Sequence, residues 1–253
     1  MSGDATTALA TRALRKSFGS LAAADGIDFE LPRGARHALI GPNGAGKTTL
    51  INLITGMLAP DSGAVFLGGE DITGLKPAAR VRRGLARTFQ INALFPQLTA
   101  LEAVTLAVCE RENLAGSWWR SLPSYGHVID EAFELLRSVH LHEVCYRLTR
   151  ELAYGQQRLL EISLALAAKP SVLLLDDPAA GVPREESAAL YAAIARFSSD
   201  MTVLFIEHDM DIVFTFATRI VVMAGGSVLV EGTPAQIAAD ERVREIYLGH
   251  GHA

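Results

Sequence analysis

Hydrophobic residues recur along this chain with two different periods, and the order of the two patterns predicts an α/β fold. At positions 26–31 every second residue is apolar, as in a strand with one buried face. Other strands are predicted at 35–40, 62–67, 84–89, 172–175, 202–206, 220–223 and 227–230. Helices are predicted from Lys47 to about Gly56 and at 99–110, 128–139, 155–168, 184–197 and 209–217, with a short helical tail. Strands that alternate with helices indicate a mostly parallel sheet covered by helices on both faces.

A run of helices interrupts this alternation between Gln90 and Lys169. We therefore expect one domain over residues 1–253, with residues 91–168 forming an inserted helical subdomain. Residues 118–126 contain Pro, Gly and Ser and are predicted to be a loop between two of its helices.

Composition narrows the classes of partner. The 253 residues carry a formal net charge of −5 and contain no Lys/Arg-rich block, so nucleic acid is not an expected partner. We see neither a secretory signal nor an apolar segment near the ~20 residues that span a bilayer. A role in a membrane process would thus require docking onto another subunit. Cys109 and Cys145 lack metal-ligand spacing and are interpreted as buried, reduced thiols.

The clearest chemical signal is a glycine-rich segment between a predicted strand and a predicted helix. Its sequence, GPNGAGKT, fits the phosphate-loop pattern G-x-x-x-x-G-K-[ST]. Glycines let successive backbone N–H groups point at phosphate oxygens, and the following helix directs its positive end to the same place. We expect Lys47 to contact the β- and γ-phosphates of ATP and the Thr48 hydroxyl to bind Mg²⁺. A chance glycine-rich turn is the alternative. The predicted ATP-binding residues of the loop are Gly41, Pro42, Asn43, Gly44, Ala45, Gly46, Lys47, Thr48 and Thr49.

A second acidic signal follows the apolar strand at 172–175. Asp176 is expected at the carboxyl end of that strand, where ligands gather in parallel sheets, and is predicted to act on the metal directly or through water. Asp177 is placed to polarise an attacking water. The alternative is that both residues merely end a strand.

Four segments occur in the order typical of ATP-binding-cassette (ABC) ATPases: GPNGAGKTT, LAYGQQ, LLLDDP and IEHD. The chain resembles that family over essentially its whole length. More narrowly, GLARTFQ, LAYGQQ, DPAAG, IEHDM and YLG resemble the ATPase subunits of branched-chain amino acid importers. The resemblance implies an ABC-ATPase fold with a mostly parallel sheet, an antiparallel N-terminal β-subdomain and an inserted helical subdomain.

The resemblance also implies roles for single residues. Phe18 would stack on adenine, or else be a core aromatic. Gln90 would contact Mg²⁺, assist catalysis and relay motion, or else be an ordinary polar residue at a strand end. His208 would contact the γ-phosphate, or else be structural. A signature segment would reach the ATP of a second protomer, or else be an ordinary helix start. Its residues are Leu152, Ala153, Tyr154, Gly155 and Gln156.

Three positions depart from the family's usual pattern. Asp177 stands where Glu is usual, Ala153 replaces the Ser of the commonest signature L-S-G-G-Q, and Gly181-Val182-Pro183 lacks the Asp that often ends the following loop. Since a carboxylate about 1 Å out of place costs on the order of a hundredfold in rate, we expect this chain's phosphate loop to form the weaker of two unequal sites.

We therefore expect an ATP-hydrolysing importer subunit that uses ATP and Mg²⁺. The partners implied are a second ATPase subunit (identical or different), membrane permease subunits and, indirectly, a periplasmic binding protein. The location implied is cytoplasmic, on the inner face of the membrane. Two other functions stay open, an ATP-gated scaffold and a phosphate-loop kinase. Residues after Gln90 could line the permease docking groove or simply fill the subdomain core. They are Ile91, Leu94, Phe95 and Leu98.

Overall fold

The computed structural model describes residues 6–88, 94–114, 126–182, 187, 190–192, 194 and 201–248. Its contacts divide the chain into two compact units. The sheet unit comprises Met1–Leu85, Ser171–Asp177 and Asp200–Ala253, and the helical unit comprises Ala86–Pro170 and Pro178–Ser199. In the part of the chain that the structure describes, every helix is too short or too polar to cross a membrane.

Within the described residues, ten strands form two sheets. In chain order they are β1 (Thr7–Phe18), β2 (Leu21–Pro32), β3 (Arg36–Ile40), β4 (Ser62–Leu67), β5 (Glu70–Asp71), β6 (Leu85–Arg87), β7 (Val172–Asp176), β8 (Thr202–Ile206), β9 (Arg219–Ala224) and β10 (Ser227–Gly232). The antiparallel sheet has the order β2-β1-β4-β5, and the larger sheet has the order β10-β9-β3-β8-β7-β6. In the larger sheet β3 pairs in parallel with β8 and β9, and β7 with β8, while β10 is antiparallel to β9.

The remaining elements are helical. They are α1 (Lys47–Thr55), α2 (Pro77–Arg82), α3 (Ala100–Arg111), α4 (Gly126–Ser138), α5 (Tyr154–Ala167), α6 (Met210–Phe216), α7 (Pro234–Ala239) and α8 (Glu241–Leu248), with single 3₁₀ turns at His142–Val144 and Thr149–Glu151. In the sheet unit, buried residues of both sheets and of α1 form one hydrophobic core. In the helical unit, α3, α4 and α5 surround a second core.

Local sequence signals set several of these boundaries. Helix α3 begins at a capping box, in which the Glu102 N–H donates to Thr99 Oγ1 (3.2 Å) and the Thr99 N–H donates to Glu102 Oε2 (2.8 Å). Helix α1 ends at Gly56, whose N–H donates to the Leu53 carbonyl.

The expected fold class, a mostly parallel sheet with an antiparallel N-terminal sheet and a block of helices, is confirmed. Strands β4 and β8 have the predicted bounds. The predicted strand at 84–89 is shorter, ending at Arg87, and Phe89 lies outside the described residues. Gly126, placed in a loop by its composition, begins α4. The predicted helix at 184–197 lies largely outside the described residues.

Candidate active site

The phosphate loop connects β3 to α1 and is held by close backbone contacts. Gly46, the N-cap of α1, has a left-handed φ of 98°, and a Cβ atom there would lie 2.3 Å from the Ala23 carbonyl oxygen. Only glycine fits this position. The Gly226 N–H also donates to the Ala45 carbonyl (3.1 Å). Close packing at Gly46 and this hydrogen bond therefore hold the loop backbone in place.

Lys47 lies at the first position of α1 with its side chain buried over the loop. Its Nζ donates to the carbonyl oxygens of Gly41 (2.7 Å) and Pro42 (3.0 Å). Burial lowers the pKa of the Lys47 ammonium, and the negative charges of Asp176 and Asp177 oppose that shift. Both carboxylates are thus close enough to act electrostatically on the ammonium.

The two aspartates follow from the register of β7. Asp176 is the last residue of the strand, opposite Ile206 of β8, and its side chain is buried. The Asp177 N–H donates to the Ile206 carbonyl (3.1 Å), which extends the parallel ladder by one bond. Asp177 itself has φ 51°, a left-handed conformation that Asp adopts more readily than most residues.

His208 follows the neighbouring strand β8, and its side chain is exposed. The preceding residue, Glu207, is buried, and its Oε2 accepts hydrogen bonds from the N–H groups of His208 (3.0 Å) and Asp209 (3.5 Å). This carboxylate fixes the turn that presents His208. No sequence motif singles out Glu207. Its position as an acidic residue directly after a buried strand is the one signal that could have identified it.

Phe18 lies at the end of β1 with 50% of its surface exposed. The alternative interpretation of Phe18 as a core aromatic is therefore wrong. Lys16 Nζ lies 5.9 Å from the centre of its ring and pairs with Asp61 (2.7 Å). An exposed aromatic face beside a cation is able to stack on a planar base.

Two of the three predicted metal ligands lie within the described residues. Thr48 is exposed on the first turn of α1, Asp176 ends β7, and Gln90 lies outside the described residues. Within the described ranges, no cluster of three or more His, Cys, Asp or Glu side chains is placed to hold a metal. A hydroxyl and a carboxylate are nevertheless the hard oxygen donors that Mg²⁺ prefers when phosphates supply further ligands.

The predicted signature segment lies in the helical unit, where it forms the start of α5. Leu152 is buried, and Ala153 is the N-cap and provides no side-chain hydrogen bond to the helix. The Ala153 N–H instead donates to Gln156 Oε1 (3.1 Å), and Gln157 Nε2 donates to the Leu152 carbonyl (3.0 Å). The first turn of α5 therefore retains free backbone N–H groups of the kind that bind anions.

The structure thus brings the phosphate loop, Lys47, Asp176 and Asp177 together in the sheet unit. Of the residues after Gln90, Ile91 lies outside the described ranges, Leu94 packs partly against the helical core, and Phe95 is 64% exposed.

Comparisons with known proteins identify the family of the chain. Residues 24–180 match the ABC transporter family, and residues 227–253 match the family described as branched-chain amino acid ATP-binding cassette transporter. The high-affinity branched-chain amino acid transport ATP-binding protein BraF of Pseudomonas aeruginosa is 40% identical over 245 residues, covering 93% of this chain and 95% of BraF. The corresponding protein LivG of Escherichia coli K12 is 37% identical over 250 residues, covering 95% and 97%.

A solved structure is similar over the same length. The crystal structure of the ADP conformation of an ATP-binding cassette of an ABC transporter superimposes with a TM-score of 0.83 at 32% identity. It covers 96% of this chain and 99% of that one. On these matches and on the geometry of its phosphate loop, the chain belongs to the ABC transporter family, as one of its ATP-binding, ATP-hydrolysing cassettes.

Proposed function

We propose that this chain is the ATPase subunit of an importer for branched-chain amino acids or related small, amino-acid-like solutes. The proposal depends on one observation: Asp176 and Asp177 lie close enough to Lys47, beside the phosphate loop, to act on its charge. ATP hydrolysis needs a cation and carboxylates next to the phosphates. The match of residues 227–253 to the branched-chain family and the names of BraF and LivG support the choice of solute.

ATP binding uses groups that the fold already orients. The loop N–H groups donate to the phosphate oxygens, and the Lys47 ammonium, held by the Gly41 and Pro42 carbonyls, neutralises the β- and γ-phosphates. Phe18 stacks on the adenine from the end of β1.

Thr48 and Asp176, with Gln90 as a further proposed ligand, would hold Mg²⁺ directly or through water. When bound, the ion would neutralise charge that develops on the phosphates during transfer. Asp177 orients and polarises the attacking water, and His208 contacts the γ-phosphate from the turn that Glu207 fixes.

The active form is a dimer, with a second copy or a different ATPase subunit as the partner. Residues Leu152 to Gln156 at the start of α5 contact the ATP held by the partner. Closure depends on the γ-phosphate, so its hydrolysis and release reopen the dimer. Gln90 and the neighbouring exposed residues, Phe95 among them, transmit the motion to permease subunits, and a periplasmic binding protein delivers the solute. In this arrangement the chain lies on the inner face of the membrane through its permease contacts.

The test is Lys47→Ala in the intact transporter, isolated by a tag on this chain. Lys76→Ala is the control, because Lys76 is an exposed lysine of the same unit, at the start of α2. We expect Lys47→Ala to abolish ATP turnover and leucine uptake and Lys76→Ala to leave both unchanged. Full turnover in Lys47→Ala would refute the proposed site. A tagged chain that retains no polytopic membrane protein would favour a scaffold, and a phosphorylated product would favour a kinase.

A further inference from the structure

A large aromatic residue occupies the first turn of the signature helix. Tyr154 is the first residue of α5, with 43% of its surface exposed, and it stands where the commonest family signature, L-S-G-G-Q, has its first glycine. A side chain at this point has to be accommodated by the groups around it.

The Tyr154 ring lies beside Gly181. A Cβ atom placed on Gly181 would lie 2.8 Å from Tyr154 Cε1, closer than real Cβ contacts come, and 3.2 Å from Cζ, which is tighter than most. Gly181 also has a left-handed φ of 73°. The ring therefore occupies the space that any side chain at position 181 would need.

The ring is also held by its own helix. The Arg158 guanidinium lies 5.4 Å from the ring centre, one turn further along α5, within the range of a cation–π contact. Arg158 is itself buried and pairs with Glu161 (2.9 Å), so it is not free to swing away. Tyr154 is thus fixed between a buried cation and a glycine backbone.

Gly181 belongs to the loop that follows Asp177 in the chain. In this loop, residues 178–182, the Val182 N–H donates to the Ala179 carbonyl (3.0 Å), which closes a turn around Gly181. The loop lacks the Asp that usually ends it in the family. We propose that Tyr154 is a positioning residue that fixes this loop against the first turn of the signature helix through its contact with Gly181.

The inference rests on the proposed role of the α5 start in dimer closure. If Tyr154 sets the geometry needed for closure and hydrolysis, its removal should lower kcat and leave the KM for ATP nearly unchanged, because the phosphate loop lies in the other unit. A merely structural role would lower the yield or the unfolding midpoint and leave kcat per folded molecule unchanged.

The experiment measures ATP turnover in the intact, tagged transporter for five variants. We expect Tyr154→Ala to lose about tenfold in kcat with KM within about twofold, and Tyr154→Phe, which retains the ring, to lose less than Tyr154→Ala. Gly181→Ala should lose a similar factor. In the Tyr154→Ala background Gly181→Ala should lose less than about threefold, because the clash has been removed. Gly181→Asn, a residue type that tolerates the left-handed φ, separates the clash from backbone strain, and we expect it to resemble Gly181→Ala.

The inference would be overturned if the losses in kcat of Tyr154→Ala and Gly181→Ala simply multiplied in the variant that carries both. An unchanged kcat in Tyr154→Ala would overturn it as well. Lys47→Ala, measured alongside, keeps the two proposals distinct. If Lys47→Ala is inactive and Tyr154→Ala is fully active, only the positioning role fails. If Lys47→Ala is active, the proposed ATP site itself fails.

Discussion

Arg80 offers the sharpest test of how the helix behind the phosphate loop is held. This arginine of α2 has only 2% of its surface exposed. Its Nη1 donates to the carbonyls of Leu53 (2.8 Å) and Ile54 (2.6 Å), which lie in the last turn of α1. Its other nitrogens donate to the carbonyls of Thr73 (2.7 Å) and Leu75 (3.0 Å).

Replacing Arg80 by Met keeps an unbranched side chain and removes all four hydrogen bonds. A buried acceptor left without a partner costs about 1–3 kcal/mol. Two of these carbonyls end α1, where the Leu53 carbonyl still accepts from the Gly56 N–H (3.3 Å). Removing the cation recovers part of its desolvation cost, which is large enough that burial lowers the pKa of the guanidinium. The substitution takes one hydrogen bond from each of four carbonyls at once. We therefore expect the free energy of unfolding to fall by about 3 kcal/mol.

The assay is urea unfolding followed by far-ultraviolet circular dichroism, with Arg83→Met as the matched control. Arg83 lies next to the same short helix, but its side chain is 39% exposed and it pairs with exposed Glu70 at 2.8 Å. An exposed ion pair contributes between zero and about 1 kcal/mol. Equal unfolding free energies for the two variants would refute the claim that Arg80 caps α1.

Three further predictions concern other parts of the molecule. Gly46→Ala should abolish ATP binding, measured by equilibrium titration, while Gly74→Ala, where a Cβ meets nothing within 4 Å, should not. The hydrogen bond from Arg111, with Lys169 adding to it and burial opposing, lowers the pKa of Glu131 to about 2. The stabilisation that the Glu131 carboxylate gives the folded state should be complete above about pH 4.5 and should be lost as the pH falls towards 2, by at most about 3 kcal/mol. The urea midpoint of Glu131→Gln should therefore lie further below that of wild type at pH 7 than at pH 3. An equal difference between the two midpoints at both pH values would contradict this. Asp177→Glu should raise ATP turnover in the complete transporter and Asp177→Asn should lower it, and an unchanged rate in Asp177→Glu would remove the basis for a weak site.

Local patterns determined which elements could be predicted. The glycine pattern placed α1 to within a residue, since a phosphate loop requires a strand before it and a helix after it. Strand β1 was not delimited because its register shifts between Thr11 and Leu14, and Ala13 there has a left-handed φ of 44°. Those irregularities break the alternation on which the prediction depends. Helix α2 has only six residues, too few to show a helical period.

The same distinction applies to the candidate site. Lys47, Asp176 and His208 lie at the ends of regular elements, so spacing along the chain identifies them. Glu207 acts through backbone N–H groups of the next two residues, and Tyr154 acts through a glycine in a distant loop. Neither contact has a sequence period, because each depends on tertiary placement. Gly181 lies in a turn closed by the Val182 N–H and the Ala179 carbonyl, and that turn does not reveal the contact of Gly181 with Tyr154.

Under the proposed roles, the departures from the family pattern affect ATP hydrolysis and leave ATP binding intact. The phosphate loop retains every residue that the pattern G-x-x-x-x-G-K-[ST] requires, and contacts with Ala23 and Gly226 hold its backbone. The three departures (Ala153, Asp177 and the segment Gly181-Val182-Pro183) instead fall at positions with proposed roles in closure and hydrolysis. Ala153 removes a hydroxyl, and Asp177 shortens the carboxylate by one methylene. In the proposed arrangement Tyr154 of the same chain fixes the Gly181 loop, which lacks the usual Asp. We therefore expect this site to bind ATP and hydrolyse it slowly, so that the partner's site would set the transport rate while this site holds the dimer together.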